Sequence, residues 1–231
     1  MISLLKLELK KFNLLNYIIS FLLITVAILG MITLIGVADT EEEVIFGAAN
    51  ELLGIGDIFI RITFTIFSGV LLARIIINEF KDSTIKIMFT YPISRKKIIG
   101  AKLIIVWTFI FIAIILDSLL IGIGLKMIDD IINITPDTIT YSDILGRSSA
   151  ILYSALVTSG LGLIPLFFGM QKKSSPTTIV AAVIVSLLLN GSVGNNGATL
   201  FTVTVVPVFL CIMGVVIAFL SYWNINKADI N

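Results

Sequence analysis

The sequence has no histidine, a single cysteine and little charge. Each shortage excludes a kind of chemistry. Without histidine there is no Ser-His or Cys-His nucleophile pair. One cysteine, Cys211, permits neither a disulfide within the chain nor a multi-cysteine zinc site. Cys211 sits in the apolar run "VPVFLCIMGVV", which reads as a buried, unreactive thiol because reactivity needs an electropositive, accessible setting. Charged residues make up only 13% of the chain, about half the usual quarter of a soluble domain. That is too few to coat a water-facing surface. A net charge of +1 provides no field for nucleic acid or acidic substrates. No G-x-x-x-x-G-K-[ST] loop occurs, so this sequence contains no phosphate cradle of that type. The glycines of "GAANELLGIGD" and "GLGLIPLF" lack the lysine and read as loop and packing glycines.

What the chain does have is long apolar runs: 58% of its 231 residues are hydrophobic, with a mean hydropathy of +1.09. A helix crosses the hydrocarbon core with about 20 apolar residues. Six segments meet or approach that length: residues 17–38, 58–77, 103–125, 148–169, 177–193 and 200–223. The expectation is a single all-α integral membrane domain over residues 1–231. The first run is longer than the 7–15 residues of a signal-peptide core and reads as a retained span. The fifth is short and runs into "NGSVGNNG", which reads as a broken or re-entrant end. Pro165 and Pro207 are expected to kink their spans.

Lysine and arginine set the orientation. Twelve of them fall on one side: Lys6, Lys10, Lys11, Lys81, Lys86, Arg95, Lys96, Lys97, Lys102, Lys172, Lys173 and Lys227. Only Lys126 and Arg147 fall in loops on the other, which holds most of the acids. Both termini are therefore expected in the cytoplasm. Residues 1–16 place Ile2, Leu5, Leu9 and Phe12 on one helical face beside Lys6 and Lys10. That pattern suits an amphipathic helix lying on membrane lipid.

Residues 78–102, "NEFKDSTIKIMFTYPISRKKIIGAK", interrupt the apolar pattern with six basic and two acidic side chains. Asp82 and Ser83 can start a short helix, and Tyr91-Pro92 stops it. Ile85, Met88 and Phe89 share one side. Ser94 can cap a new helix that runs into the third apolar segment. A short amphipathic helix between spans can lie on lipid, plug a vestibule or dock in a groove of a partner.

This stretch resembles the type 2 permease family of ABC exporters. The resemblance covers the whole layout, and its most specific part is Glu79, Thr84, Pro92, Ser94, Arg95 and Lys102. Ser83 stands where the family usually has glycine. The resemblance implies a coupling helix seated in an ATP-binding-cassette subunit. Glu79, Phe80, Asp82, Ser83, Thr84, Ile85, Met88, Phe89, Pro92, Ser94 and Arg95 would form that contact. It further implies two copies of the ATPase, which would hold ATP and Mg²⁺, and a second permease, identical or related. This chain would have no catalytic residue, cofactor or metal of its own. The location implied is the plasma membrane of a bacterium or archaeon. Lengths and hydropathy are most similar to permeases of bacitracin and lantibiotic resistance, which implies export of amphipathic or antimicrobial-type peptides. From the residues alone, a non-transporting anchor or sensor and a secondary transporter or channel stay open. The latter would need internal repeats and mid-membrane polar residues. No convincing repeat is visible.

Three ionisable residues fall inside apolar segments: Arg61, Arg74 and Asp117. Arg74 is close enough to a span end to snorkel. Counting the helical rise, Arg61 is ~24 Å from Ile77 and Asp117 ~21 Å from Leu103. Equal depth on consecutive antiparallel helices points to an ion pair; a substrate contact and two separate water-facing sites are the alternatives. Small residues at Ser154, Ala155, Thr158, Ser159, Gly160, Gly162, Ala181, Ala182 and Ser186 fit close packing within the chain or between two copies.

Overall fold

The computed structural model describes residues 14–38, 49–78, 95–132, 138–191, 200–201 and 204–224. The expected interfacial helix over 1–16 and the coupling segment over 78–102 lie largely outside them. Among the described residues every regular element is helical. In chain order these are α1 (Leu14–Ala38), α2 (Ala49–Leu72), α3 (Arg95–Ile132), α4 (Tyr141–Gly146), α5 (Ser148–Leu161), α6 (Pro165–Lys172), α7 (Ser175–Asn190) and α8 (Val205–Asn224). A π-helical turn, Ala73–Ile77, ends α2. Among the described residues four stretches are long and apolar enough to cross a membrane: Tyr17–Val37, Asn50–Ile77, Ile98–Ile132 and Ser148–Lys172. Ser175–Asn190 and Val205–Phe219 are shorter apolar helices.

Helix ends follow the available stop signals. No proline occurs between Pro92 and Pro136, and α3 runs 38 residues, well beyond the apolar segment 103–125. The second segment also starts early. Gly54 and Gly56, expected in a loop, lie within α2. A helical glycine costs about 1 kcal/mol relative to alanine. Leu52 and Leu53 are buried in the bundle, and their packing holds this first part of α2 in place.

Pro165 divides the fourth segment into α5 and α6. Its ring removes the N–H that would bond back to Leu161. A tighter turn bridges the gap: the N–H groups of Leu163 and Ile164 donate to the carbonyls of Gly160 and Leu161 at 3.1 and 3.0 Å. Pro207 acts differently from expectation. It lies in the first turn of α8, where its missing N–H costs nothing, so it starts this helix instead of bending it.

α2 is the centre of the bundle. It packs most extensively on α7 and α3, and also on α1, α5 and α6. Small residues set several of these approaches. A Cβ added to Gly69 would lie 2.4 Å from the Cβ of Ala182 on α7. One on Gly214 of α8 would lie 2.2 Å from the carbonyl oxygen of Gly160 on α5. The small stripes are thus used within the chain, as lipid-phase packing requires. Cys211 is buried against Gly160 and directs its Sγ towards the Leu156 carbonyl at 3.9 Å.

The outer surface is apolar. Only 17% of α1's apolar stretch is buried, against 61% for α2. Leu34 and Val26 of α1 are 72% and 68% exposed. On α3, Ile112, Leu116, Leu120, Ile123 and Met127 form an exposed stripe. A hydrocarbon solvent accounts for such surfaces; water does not.

Candidate functional site

In an apolar bundle the polar side chains carry the functional information, because each must be satisfied or serve a purpose. They gather at three levels.

The first level is where α2 ends and α3 begins. The π turn leaves a backbone carbonyl outside the usual ladder. Lys102, only 1% exposed, places its Nζ 3.2 Å from the Ile75 carbonyl oxygen. Asn78, which caps the turn by donating its N–H to the Ala73 carbonyl, accepts a hydrogen bond from Ser175 Oγ at 2.5 Å. That bond joins α2 to the first residue of α7. Ile77 is fully buried beside Gly169. Arg74 is exposed, as its snorkelling position implies. The stretch 79–94 therefore departs from and returns to a closely packed base. Glu79, Phe80, Asp82, Ser83, Thr84, Ile85, Met88, Phe89, Pro92 and Ser94 lie outside the described residues; Arg95 opens α3.

The second level is mid-helix. Asp117 is fully buried, and Thr25 of α1 hydrogen-bonds to its Oδ1. Asp117 Oδ2 is buried without a hydrogen-bond partner among the described residues. Two other buried hydroxyls are satisfied by backbone, whereas Thr158 Oγ1 has no partner among the described residues. Thr65 Oγ1 donates to the Arg61 carbonyl at 2.7 Å, and Ser68 Oγ has the carbonyls of Thr65 and Gly162 at 2.7 and 3.0 Å.

The third level is the opposite end of the bundle. Asp57 on α2 pairs with Arg147, the residue before α5. One turn along α2, Arg61 donates from Nε to Asn190 Oδ1 of α7 at 3.2 Å, and its guanidinium carbon lies 4.2 Å from the centroid of the Phe201 ring. Asn190 Nδ2 donates to the Ser186 carbonyl at 2.9 Å. Ser186 Oγ returns to α2, donating to the Ile62 carbonyl at 3.1 Å. The network ties α2, α5 and α7 together. Nearby, Asp129 is buried and accepts the Ile139 N–H at 3.2 Å, holding the return from α3.

The expected ion pair between Arg61 and Asp117 is therefore corrected. Among the described residues Arg61 faces Asn190 on α7, and Asp117 faces Thr25 on α1. The two lie on opposite sides of the α2–α3 contact, where similar depth does not bring them together. The Asp57–Arg147 pair was missed because both residues read as loop charges. The available signal was Asp57 and Arg61 at a four-residue spacing on one helix, with Arg147 directly before the fourth apolar run.

Several long apolar helices, an apolar exterior and polar groups drawn into the bundle interior or its ends define a polytopic membrane protein. The chain belongs to the family of ABC-2 family transporter proteins, matching it over residues 4–188. It is thus a membrane component of that transporter class. It is 32% identical over 228 residues to the uncharacterized protein YcbO of Bacillus subtilis (strain 168), covering 98% of this chain and 99% of that protein. No solved structure matches it.

Proposed function

We propose that the chain is the permease subunit of an ATP-driven exporter, with six spans and both termini in the cytoplasm. Residues 78–102 are its contact with a separate ATP-binding-cassette subunit. Family membership supports the transporter class, and the observation that carries the coupling role is the base of this segment. Its two ends emerge from one buried junction, where Lys102 meets Ile75 and Asn78 meets Ser175. A displacement of the segment is therefore applied to α2, α3 and α7 together. A coupling helix transmits only the difference in docking free energy between nucleotide states, so a rigid base is what the task needs. Glu79, Thr84, Ile85, Met88 and Phe89 form the docking face. Two ATPase copies with ATP and Mg²⁺, and a second permease, complete the assembly. The cargo is an amphipathic, antimicrobial-type peptide, a reading that rests on resemblance in length and hydropathy.

Co-expression with a candidate ATP-binding-cassette subunit from the same organism tests the proposal. Met88→Glu and Glu79→Lys are expected to lower ATPase co-purification at least tenfold, about 1.4 kcal/mol of docking free energy, at unchanged membrane level. Undiminished recovery with both variants overturns the coupling role. Stimulation of the complex's ATPase by cationic amphipathic peptides in lipid, absent with an unrelated small solute, supports the cargo; no stimulation by any peptide tested removes it.

A further inference from the structure

Asp117 belongs to a stripe of α3 formed with Val106, Ile110, Ile114, Ile121 and Leu125, none more than 2% exposed. With Arg61 engaged elsewhere, the acid has no counter-charge among the described residues. The charged groups on neighbouring elements are occupied or remote. Arg61 faces Asn190, Asp57 faces Arg147, Arg74 is exposed and Asp143 caps α4 at the Thr140 N–H. The described parts of α1 and α5 contain no charged side chain, and Lys102 on α3 itself lies at the helix start, against Ile75.

Counting protons then discriminates between two states. Thr25 Oγ1 lies 3.1 Å from the Phe21 carbonyl and also within hydrogen-bond reach of Asp117 Oδ1. A hydroxyl has one proton and two acceptor lone pairs. If Asp117 is ionised, that single proton serves either the carbonyl or the carboxylate. Among the described residues the carboxylate then holds at most one donor, with Oδ2 bare in an apolar interior. Such a charge is costly at membrane depth. If Asp117 carries a proton, both contacts are satisfied at once. Asp117 donates to Thr25, and Thr25 donates to the Phe21 carbonyl. The bare Oδ2 is then one weak acceptor of a neutral acid, a much smaller penalty.

We propose that Asp117 is a proton-binding site within the membrane, and that the chain from Asp117 through Thr25 to the Phe21 carbonyl latches α1 to α3. Ionisation releases the proton to water entering the seam. Thr25 turns its own proton from Phe21 to the carboxylate, and the charge draws further water between the helices. α1 is the element suited to such release, since most of its surface already faces outward. The inference does not depend on which partner or cargo the transporter has.

Infrared spectroscopy of the full chain in lipid nanodiscs, with isotope-labelled aspartate, tests it. At neutral pH the wild type is expected to show a protonated-carboxyl stretch that Asp117→Asn removes. Thr25→Val should keep the stretch and shift it towards a weaker hydrogen bond, assigning it independently if the asparagine variant is poorly behaved. Spin labels at Leu34 of α1 and Met127 of α3, both exposed, then report the seam in a Cys211→Ser background. Raising the pH should remove the stretch and lengthen the label separation in the wild type, with no lengthening in Asp117→Asn. Absence at neutral pH of any stretch that depends on Asp117 or shifts in Thr25→Val overturns the proposal. So does a separation that ignores loss of the stretch, or one that grows equally in Asp117→Asn.

Discussion

Lys102 Nζ, near the start of α3, lies 3.2 Å from the Ile75 carbonyl in the π turn that ends α2. The lysine ties the start of α3 to the end of α2. Lys102→Met keeps most of the packing volume and removes the donor. The carbonyl then loses a hydrogen bond to a charged group, a loss of about 1.5–3 kcal/mol. The thermal midpoint of the detergent-solubilised protein is expected to fall by several degrees, with ATPase co-purification reduced. An unchanged midpoint would show that the contact contributes no stability.

Gly69 and Ala182 permit the close approach of α2 and α7. Gly69→Ala sets two methyl groups on a collision 2.4 Å apart. Overpacking of this kind costs about 1–3 kcal/mol. Exchanging the two side chains, Gly69→Ala with Ala182→Gly, conserves the volume of the contact and is expected to recover most of that loss. A thermal double-mutant cycle measures the coupling; additive losses would place the approach elsewhere.

Asp57 and Arg147 are each 23% exposed at the side chain. The penalty for separating them is therefore below the 3–5 kcal/mol of a fully buried pair, at about 1–3 kcal/mol. Arg147→Met, which strands the carboxylate beside Arg61, is expected to lower the solubilised stability by that amount. Adding Asp57→Asn should return part of it, since the carboxylate left without Arg147 is then gone. A double variant no better than the worse single one would assign the effect to the arginine's packing.

Apolar length and proline position made the helical elements legible in the sequence. Each of the six apolar segments overlaps one or more described helices, and α3 is free to run as far as the prolines flanking it allow. Direction around the helix axis was less accessible. Rise alone puts Arg61 and Asp117 at one depth, but each residue turns the side chain by about 100°. Which neighbour it meets depends on how the helices cross. Asp117 falls in register with Ile110, Ile114 and Ile121, so its burial can be read from the pattern; Thr25 as its partner cannot. Pro207 was misread for a simpler reason. The apolar run starts upstream of α8, and hydropathy does not mark where along such a run a helix begins.

At 1.5 Å per residue, the 16 residues of α7 measure about 24 Å, against about 30 Å for a hydrocarbon layer. Its last residue is Asn190, fastened to Arg61, so the helix cannot gain reach by sliding past α2. If α7 crosses the bilayer, local thinning beside it is one way to meet the mismatch, at a fraction of a kcal/mol for each ångström. The dimple would fall next to the Arg61–Asn190 contact, bringing headgroups and water towards that end of the bundle. A thick, sterol-like bilayer should therefore disfavour this fold relative to a thin one, through lipid length alone.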